Sequence, residues 1–138
     1  MPAKDIYHSI VRRVLEKEGW TITDDPLHIK YGTIHLYIDL GAKNLIAAKK
    51  NGKKIAVEIK SFIQPSIINE FHTTIGQFIN YRFALKEKQP ERTLYLAVPE
   101  DAHQSFFMLP FVQGIIQDNR IKYFVYNIDQ ENILKWQN

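Results

Sequence analysis

The chain has 138 residues, 45% of them hydrophobic, and a formal net charge of +3 at pH 7. This length suits one domain, over residues 1–138, with a single substantial core. The sequence contains no cysteine, which excludes disulfides, thiolate metal sites and cysteine nucleophiles. No apolar run approaches the roughly 18 residues of a membrane helix and no signal region precedes the first helix, so we expect a cytoplasmic protein without a membrane partner.

The first part of the chain predicts a helix followed by a short strand. Apolar residues at helical spacing indicate a helix over residues 5–18, and Gly19 is a natural stop. A strand begins at Trp20, and Asp24-Asp25-Pro26 predicts the turn that interrupts it.

Two later segments show the alternation of half-buried strands. Residues 33–39 and 54–60 alternate apolar with polar or small side chains at a period of two. The link between them contains Gly41 and the dipeptide Asn51-Gly52, which is a strong turn signal. We therefore expect the two segments to pair directly as a hairpin.

The second half of the chain predicts alternating helices and strands. We expect a helix over 66–85, a buried strand over 92–98, a helix over 103–117 that Pro110 kinks or divides, a strand over 123–128 and a terminal strand or turn over 132–136. This order fits an α/β domain with a mixed β-sheet flanked by α-helices.

The two central strands carry a candidate metal site. Paired as expected, they present Asp39, Glu58 and Lys60 together. The carboxylates, helped by the backbone carbonyl of Ile59, suit a hard cation such as Mg²⁺, with Mn²⁺ as a substitute, and the ammonium suits a developing charge or an attacking water. The alternative interpretation is an ordinary ion pair on the solvated face of a sheet.

The helix over 66–85 adds two candidate site residues. Gln77 and Tyr81 lie four positions apart, so they share a helix face that can reach the end of the second strand, and Arg82 follows directly as a candidate DNA contact. The alternative is a core tyrosine with a hydrated hydroxyl beside an exposed glutamine.

A cluster of basic residues lies in the expected hairpin, next to the proposed site. Such a run can follow a phosphate backbone and give binding that depends on salt. The alternative is a solubilising turn. The cluster comprises Lys43, Lys49, Lys50, Lys53 and Lys54.

These motifs, in this order, resemble the PD-(D/E)xK nuclease superfamily, including the Q-x-x-x-Y helix of its RecB-like branch. More narrowly, nearly the whole chain resembles the XisH family, the fdxN element excision controlling factors. The segments that carry the narrower resemblance are Ala3-Lys4-Asp5 with His8, Gly19-Trp20-Thr21-Ile22-Thr23, Asp25-Pro26, Ile38-Asp39-Leu40-Gly41-Ala42, Val57-Glu58-Ile59-Lys60-Ser61-Phe62, Gly76-Gln77 with Asn80-Tyr81-Arg82, and Arg92-Thr93-Leu94-Tyr95-Leu96-Ala97-Val98-Pro99.

The resemblance implies a restriction-endonuclease-like fold and a role in the programmed excision of a DNA element. The implied partners are DNA, an XisI-like protein and a site-specific recombinase, and a homodimer is a further alternative. One position departs from the superfamily pattern, because His8 stands near the place of the acidic residue that many members carry on the first helix, with Asp5 one turn earlier. Both are candidate auxiliary groups.

Two functional hypotheses follow from the sequence. In the first, the chain is a DNA-acting protein that retains a Mg²⁺-dependent endonuclease site and controls element excision. In the second, it is a catalytically silent module of the same fold that binds DNA or a protein partner and uses the three site residues as a polar network. A housekeeping nuclease fits the resemblance less well.

Overall fold

The computed structural model describes residues 3–44 and 52–138, with backbone alone for residues 3–5. In these residues the helices and strands follow one another as α1 (Ala3–Lys17), β1 (Thr21–Asp24), β2 (Leu27–Tyr31), β3 (Ile34–Ile38), β4 (Leu40–Asn44), β5 (Lys53–Ile59), α2 (Ile67–Lys88), β6 (Arg92–Pro99), α3 (Glu100–Ala102), α4 (Pro110–Asp118), β7 (Tyr123–Asn127) and β8 (Asn132–Gln137). None of the described helices is long and apolar enough to cross a membrane.

The strands form one mixed sheet and one small ribbon. The sheet has the order β1-β4-β5-β6-β7-β8, in which β5, β6 and β7 are parallel and the outer pairs are antiparallel. Within residues 3–44 and 52–138, strands β2 and β3 pair only with each other. The predicted α/β class, with a mixed sheet flanked by helices in a single domain, is confirmed.

The two faces of the sheet bury separate groups of apolar residues. Alternate residues of β5 point to opposite faces, so Ile55 and Val57 pack with α1 while Ala56 packs with α2 and α4. Glu58 follows Ala56 by two residues and therefore points to the same face as Ala56, toward α2. This alternation directs the carboxylate of Glu58 toward α2, the helix that carries Gln77.

The predicted hairpin between residues 33–39 and 54–60 is wrong. Strand β3 pairs antiparallel with β2, with Ile34 opposite Tyr31 and Ile38 opposite Leu27, and β4, which falls in the expected link, pairs with β5. The physical reason is a shorter connection: only two residues separate β2 from β3, and one of them is Gly32 at a φ of 60°. A two-residue turn joins strands more readily than a long link.

Gly41, predicted to lie in a turn, is a residue of β4. A Cβ at this position would lie 3.0 Å from Nη1 of Arg92 and 3.0 Å from Oδ2 of Asp24. The guanidinium of Arg92 occupies the space that a side chain would fill, and it donates hydrogen bonds to the carbonyl oxygen of Ile55 at 2.9 Å and to Oδ2 of Asp24 at 3.1 Å. The glycine therefore provides room for a buried arginine that joins four strands.

The second half of the chain follows the prediction closely. The Gln77 helix spans α2, the strand over 92–98 is β6, and the terminal segment is a strand, β8. The predicted division at Pro110 is confirmed: α3 continues into a π-helical turn over His103–Phe107, and α4 begins at Pro110, whose missing N–H is not needed at the first helical position.

Candidate metal centre

Two hydrogen bonds from backbone N–H groups link Asp39 and Glu58 to each other's segments of the chain. Asp39 is the single residue between β3 and β4, where the chain leaves the ribbon and enters the main sheet. Its Oδ2 accepts a hydrogen bond from the N–H of Ile59 at 2.8 Å, and the N–H of Asp39 donates to Oε1 of Glu58 at 3.2 Å. Each carboxylate thus accepts a hydrogen bond from the backbone of the segment that carries the other.

Lys60 lies between the carboxylates and the Gln77 helix. Its Nζ is 3.7 Å from Oε2 of Glu58 and donates a hydrogen bond to Oε1 of Gln77 at 2.8 Å. The predicted approach of Gln77 to the end of the second strand is therefore correct. Because the amide oxygen holds the ammonium, Lys60 keeps a defined position although its stem is long and flexible.

Burial sets the charge of Glu58. The residue is 7% exposed. Burial and the neighbouring charge of Asp39 raise the pKa of Glu58 to about 8, and the ammonium of Lys60 opposes that rise. At neutral pH the carboxyl group of Glu58 is therefore largely protonated. A divalent cation bound between the two groups would favour its ionised form.

Tyr81 lies within the field of the same carboxylates. The side chain is half-buried and packs against the apolar core on the α2 face. Burial, followed by the charges of Glu58 and Asp39, raises the pKa of Tyr81. The phenol thus remains protonated and able to donate a hydrogen bond toward the site.

A pocket of about 410 Å³ opens in front of these groups. Glu70, which the sequence analysis missed, shapes its wall: the carboxylate accepts hydrogen bonds from the N–H of Phe62 at 2.8 Å and of Gln64 at 3.3 Å. Phe62 has a φ of 57°, which is rare outside glycine, so the carboxylate holds a strained loop in place. The signal for Glu70 is an acidic residue in the first turn of a helix. The pocket is lined by Tyr7, His8, Asp39, Glu58, Ile59, Lys60, Ser61, Ile63, Gln64 and Glu70.

His8 lies in the pocket wall but has a partner of its own. Its Nε2 is 2.7 Å from Oδ1 of Asp25, and Arg12 donates to the other oxygen of Asp25 at 2.6 Å. The imidazole therefore fastens α1 to the turn before β2. The side chain of Asp5 lies outside the described residues. Auxiliary roles for both residues stay predictions.

The described lysines of the basic cluster lie on β4 and β5, farther from the carboxylates than expected. Lys43 and Lys54 face each other across β4 and β5, and Lys53 is exposed at the start of β5. A strand rises about 3.3 Å per residue, so Lys54 lies roughly 13 Å from Glu58 along β5. Lys43, Lys53 and Lys54 are thus at the opposite end of the β4–β5 pair from the candidate metal centre.

The remaining predicted DNA contacts are on different parts of the chain. Lys49 and Lys50 lie outside the described residues. The Nη1 of Arg82 donates to the carbonyl oxygens of Asn119 at 2.8 Å and Arg120 at 3.0 Å, which ties α2 to the end of α4. A DNA contact by Arg82 stays a prediction, and it has to share the side chain with this structural role.

The oxygen atoms of the centre fit a hard cation. One oxygen of each carboxylate accepts a hydrogen bond from a backbone N–H; the other two are Oδ1 of Asp39 and Oε2 of Glu58, and Oε2 lies 3.7 Å from Nζ of Lys60. Two carboxylates with waters and phosphate oxygens are a typical ligand set for Mg²⁺. Among the side chains described over 6–44 and 52–138, no group of three or more His, Asp or Glu residues could hold a metal ion. An ion bound by Asp39 and Glu58 would complete its coordination with waters.

We expect the buried carboxyl of Glu58 to make stability depend on pH. Its folded pKa of about 8 lies above the ordinary value of 4.5, so the native protein binds more protons than the unfolded chain, and the free energy of unfolding falls as pH rises from about 4.5 to 8. In Glu58→Gln the free energy of unfolding should no longer fall over this pH range. Urea unfolding in chelator between pH 5 and 9 measures it, with the exposed Glu87→Gln as control; a parallel pH profile for Glu58→Gln and the unmodified protein would contradict the assignment.

Comparisons with known proteins agree with the sequence resemblance. The chain matches the family described as "XisH protein" over residues 1–134. No curated protein matches it. Among solved structures it is similar to an XisH family protein from Nostoc punctiforme PCC 73102, at 47% identity over 97% of this chain and 100% of that chain, with a TM-score of 0.89. It is also similar to an fdxN element excision controlling factor protein from Anabaena variabilis, at 47% identity over 97% of this chain and 99% of that chain, with a TM-score of 0.87. The chain belongs to the XisH family.

Proposed function

We propose that this protein controls the excision of a DNA element and acts on DNA through a divalent-cation site at Asp39 and Glu58. The role in excision is supported by the similar protein from Anabaena variabilis, which is described as an fdxN element excision controlling factor. The action on DNA is supported by one observation above all: two interlocked carboxylates and a tethered ammonium face a single pocket.

Each residue has a definite chemical task in this proposal. Asp39 and Glu58 would hold Mg²⁺, and the bound ion would supply an activated water and neutralise charge on a phosphodiester. Lys60 donates a hydrogen bond to the oxygen on which charge develops, or orients the attacking water. Gln77 positions Lys60 without touching the reacting atoms, and Glu70 keeps the pocket wall in shape.

A catalytically silent module is the second candidate, and one observation favours it. Lys60 is within 3.7 Å of Glu58 and bonded to Gln77, so the three polar groups satisfy one another. A satisfied network of this kind also stabilises a fold that only binds DNA, an XisI-like protein or a recombinase. The two candidates differ in whether Lys60 is required for a reaction or only for stability.

The proposed contact with DNA is tested by neutralising four lysines of the basic cluster. Replacing Lys49, Lys50, Lys53 and Lys54 with Gln should weaken binding to all DNA sequences alike, because these groups would contact phosphates and not bases. The slope of log K against log salt should become shallower by about 3 to 4, close to one unit per phosphate contact. Fluorescence anisotropy at several salt concentrations measures both effects.

The matched control replaces four exposed basic residues elsewhere, Arg13, Lys17, Lys86 and Lys135, with Gln. It should leave affinity and salt slope nearly unchanged. If the quadruple variant binds DNA with the same affinity and slope as the unmodified protein, the lysine run does not contact DNA.

A further inference from the structure

The ribbon of β2 and β3 has two faces of different chemistry. One face is apolar and packs toward α2, with Leu27, Ile29 and Ile38 fully buried. The register places the other set of side chains on the outer face, where all of them are exposed: His28, Lys30, His35 and Tyr37. The metal centre uses none of these outer residues.

Three rings of the outer face contact one another. The rings of His28 and Tyr37 are nearly parallel, with centroids 4.8 Å apart and an interplanar angle of 13°. His35 lies edge to edge with His28, close to the same plane, and a hydrogen bond of 2.8 Å joins Nδ1 of His35 to Nε2 of His28. Tyr37 is 56% exposed. The outer face thus presents an accessible tyrosine ring beside a hydrogen-bonded pair of imidazoles.

The ribbon carries basic side chains and no acidic ones. Residues 27–38 contain Lys30 and two histidines but no Asp or Glu. Lys30 lies directly opposite His35 in the strand pairing, so a cation lies next to the exposed rings of the outer face. Cations beside exposed aromatic rings are complementary to a ligand that has flat faces and negative charge, which describes a nucleic acid strand.

The ribbon leads directly to the metal centre. Tyr37 precedes Asp39 by two residues, so about 7 Å of strand separates the residue with the exposed ring from the candidate metal ligand. A nucleic acid strand bound at Tyr37 would therefore lie close to Asp39.

We infer that the outer face of the β2–β3 ribbon binds single-stranded DNA, with an unpaired base stacked on Tyr37 and the backbone beside Lys30. Only unpaired bases offer a free face to a protein ring, because the bases of a duplex stack on one another. The inference rests on the proposed action on DNA and adds to it a preference for unpaired strands next to the metal centre.

The test compares one labelled oligonucleotide with its duplex by fluorescence anisotropy at equal salt concentration. The unmodified protein should bind the single strand more tightly. Tyr37→Ala should weaken single-strand binding about tenfold, as expected for one lost stacking contact, and leave duplex binding unchanged. Tyr37→Phe should retain the affinity. Phe111→Ala, which removes an exposed aromatic ring from α4, is the matched control and should have no effect.

Because Tyr37 is exposed, its replacement should leave the melting temperature unchanged, and Lys30→Gln provides a second variant with a smaller loss of affinity. Equal single-strand affinity for Tyr37→Ala and the unmodified protein, or a preference for the duplex, would overturn the inference while leaving the proposed function intact if the lysine variant still weakens duplex binding. Failure of the unmodified protein to bind either form would overturn both.

Discussion

Lys60→Met should lower Mg²⁺-dependent phosphodiester cleavage by about 100-fold or more, the usual cost of removing a donor aimed at a developing charge. Methionine has a chain of similar shape to the lysine stem but lacks the ammonium. Cation binding should persist, because Lys60 is not a ligand and its positive charge repels the cation. Cleavage of linear, branched and nicked DNA, with and without an XisI-like partner, measures the effect.

The outcome separates the two candidate functions. Lys135→Met, at an exposed position of β8, is the matched control and should cleave as the unmodified protein does. A binding module predicts instead that the unmodified protein cleaves none of these substrates and that Lys60→Met lowers only stability, because the amide of Gln77 loses its partner.

Arg92→Met should lower the free energy of unfolding by about 1–3 kcal/mol, because the buried carbonyl of Ile55 and three more exposed acceptors lose one shared donor. The arginine side chain is 7% exposed and its guanidinium bonds to the carbonyl of Ile55 and to Thr23, Asp24 and Gln89. Asp24 is 37% exposed and regains water when its partner is lost, which limits the effect. Urea unfolding at neutral pH measures the change.

A second arginine provides the control for this prediction. Arg13 forms a two-point ion pair with Glu131 on the surface, at 3.0 and 2.8 Å. Exposed pairs of this kind stabilise proteins little, so Arg13→Met should leave the unfolding midpoint almost unchanged. Equal midpoints for Arg92→Met and Arg13→Met would show that the buried network does not hold the four strands together.

Local patterns in the sequence predict the parts of the fold that local forces decide. The apolar spacing of α1 and α2, the β-branched and aromatic content of β6 and the break at Pro110 all depend on residues close in sequence. The meeting of Lys60 and Gln77 was predictable for the same reason, because the strand parity and the helix face each follow from a simple period.

Strand pairing was not predictable in this way. The segment before Asp39 has the same alternation whether it pairs with β2 or with β5, and the choice depends on which connection closes with less loss of entropy. The role of Gly41 was hidden for a similar reason: the space it leaves is filled by Arg92, which comes from a strand far along the chain. Such contacts are decided by tertiary packing and not by any pattern in the neighbouring residues.

Titration calorimetry with Mn²⁺ tests the central claim most directly. The unmodified protein should bind the ion at one site, and an ion concentration 100-fold above Kd should raise the free energy of unfolding by about 2.7 kcal/mol. Asp39→Asn keeps an acceptor for the N–H of Ile59 but removes the charge, so it should lose both the heat of binding and the stabilisation, whereas the exposed Asp101→Asn should keep them. Identical Mn²⁺ binding by Asp39→Asn and the unmodified protein would contradict a metal centre at Asp39 and Glu58.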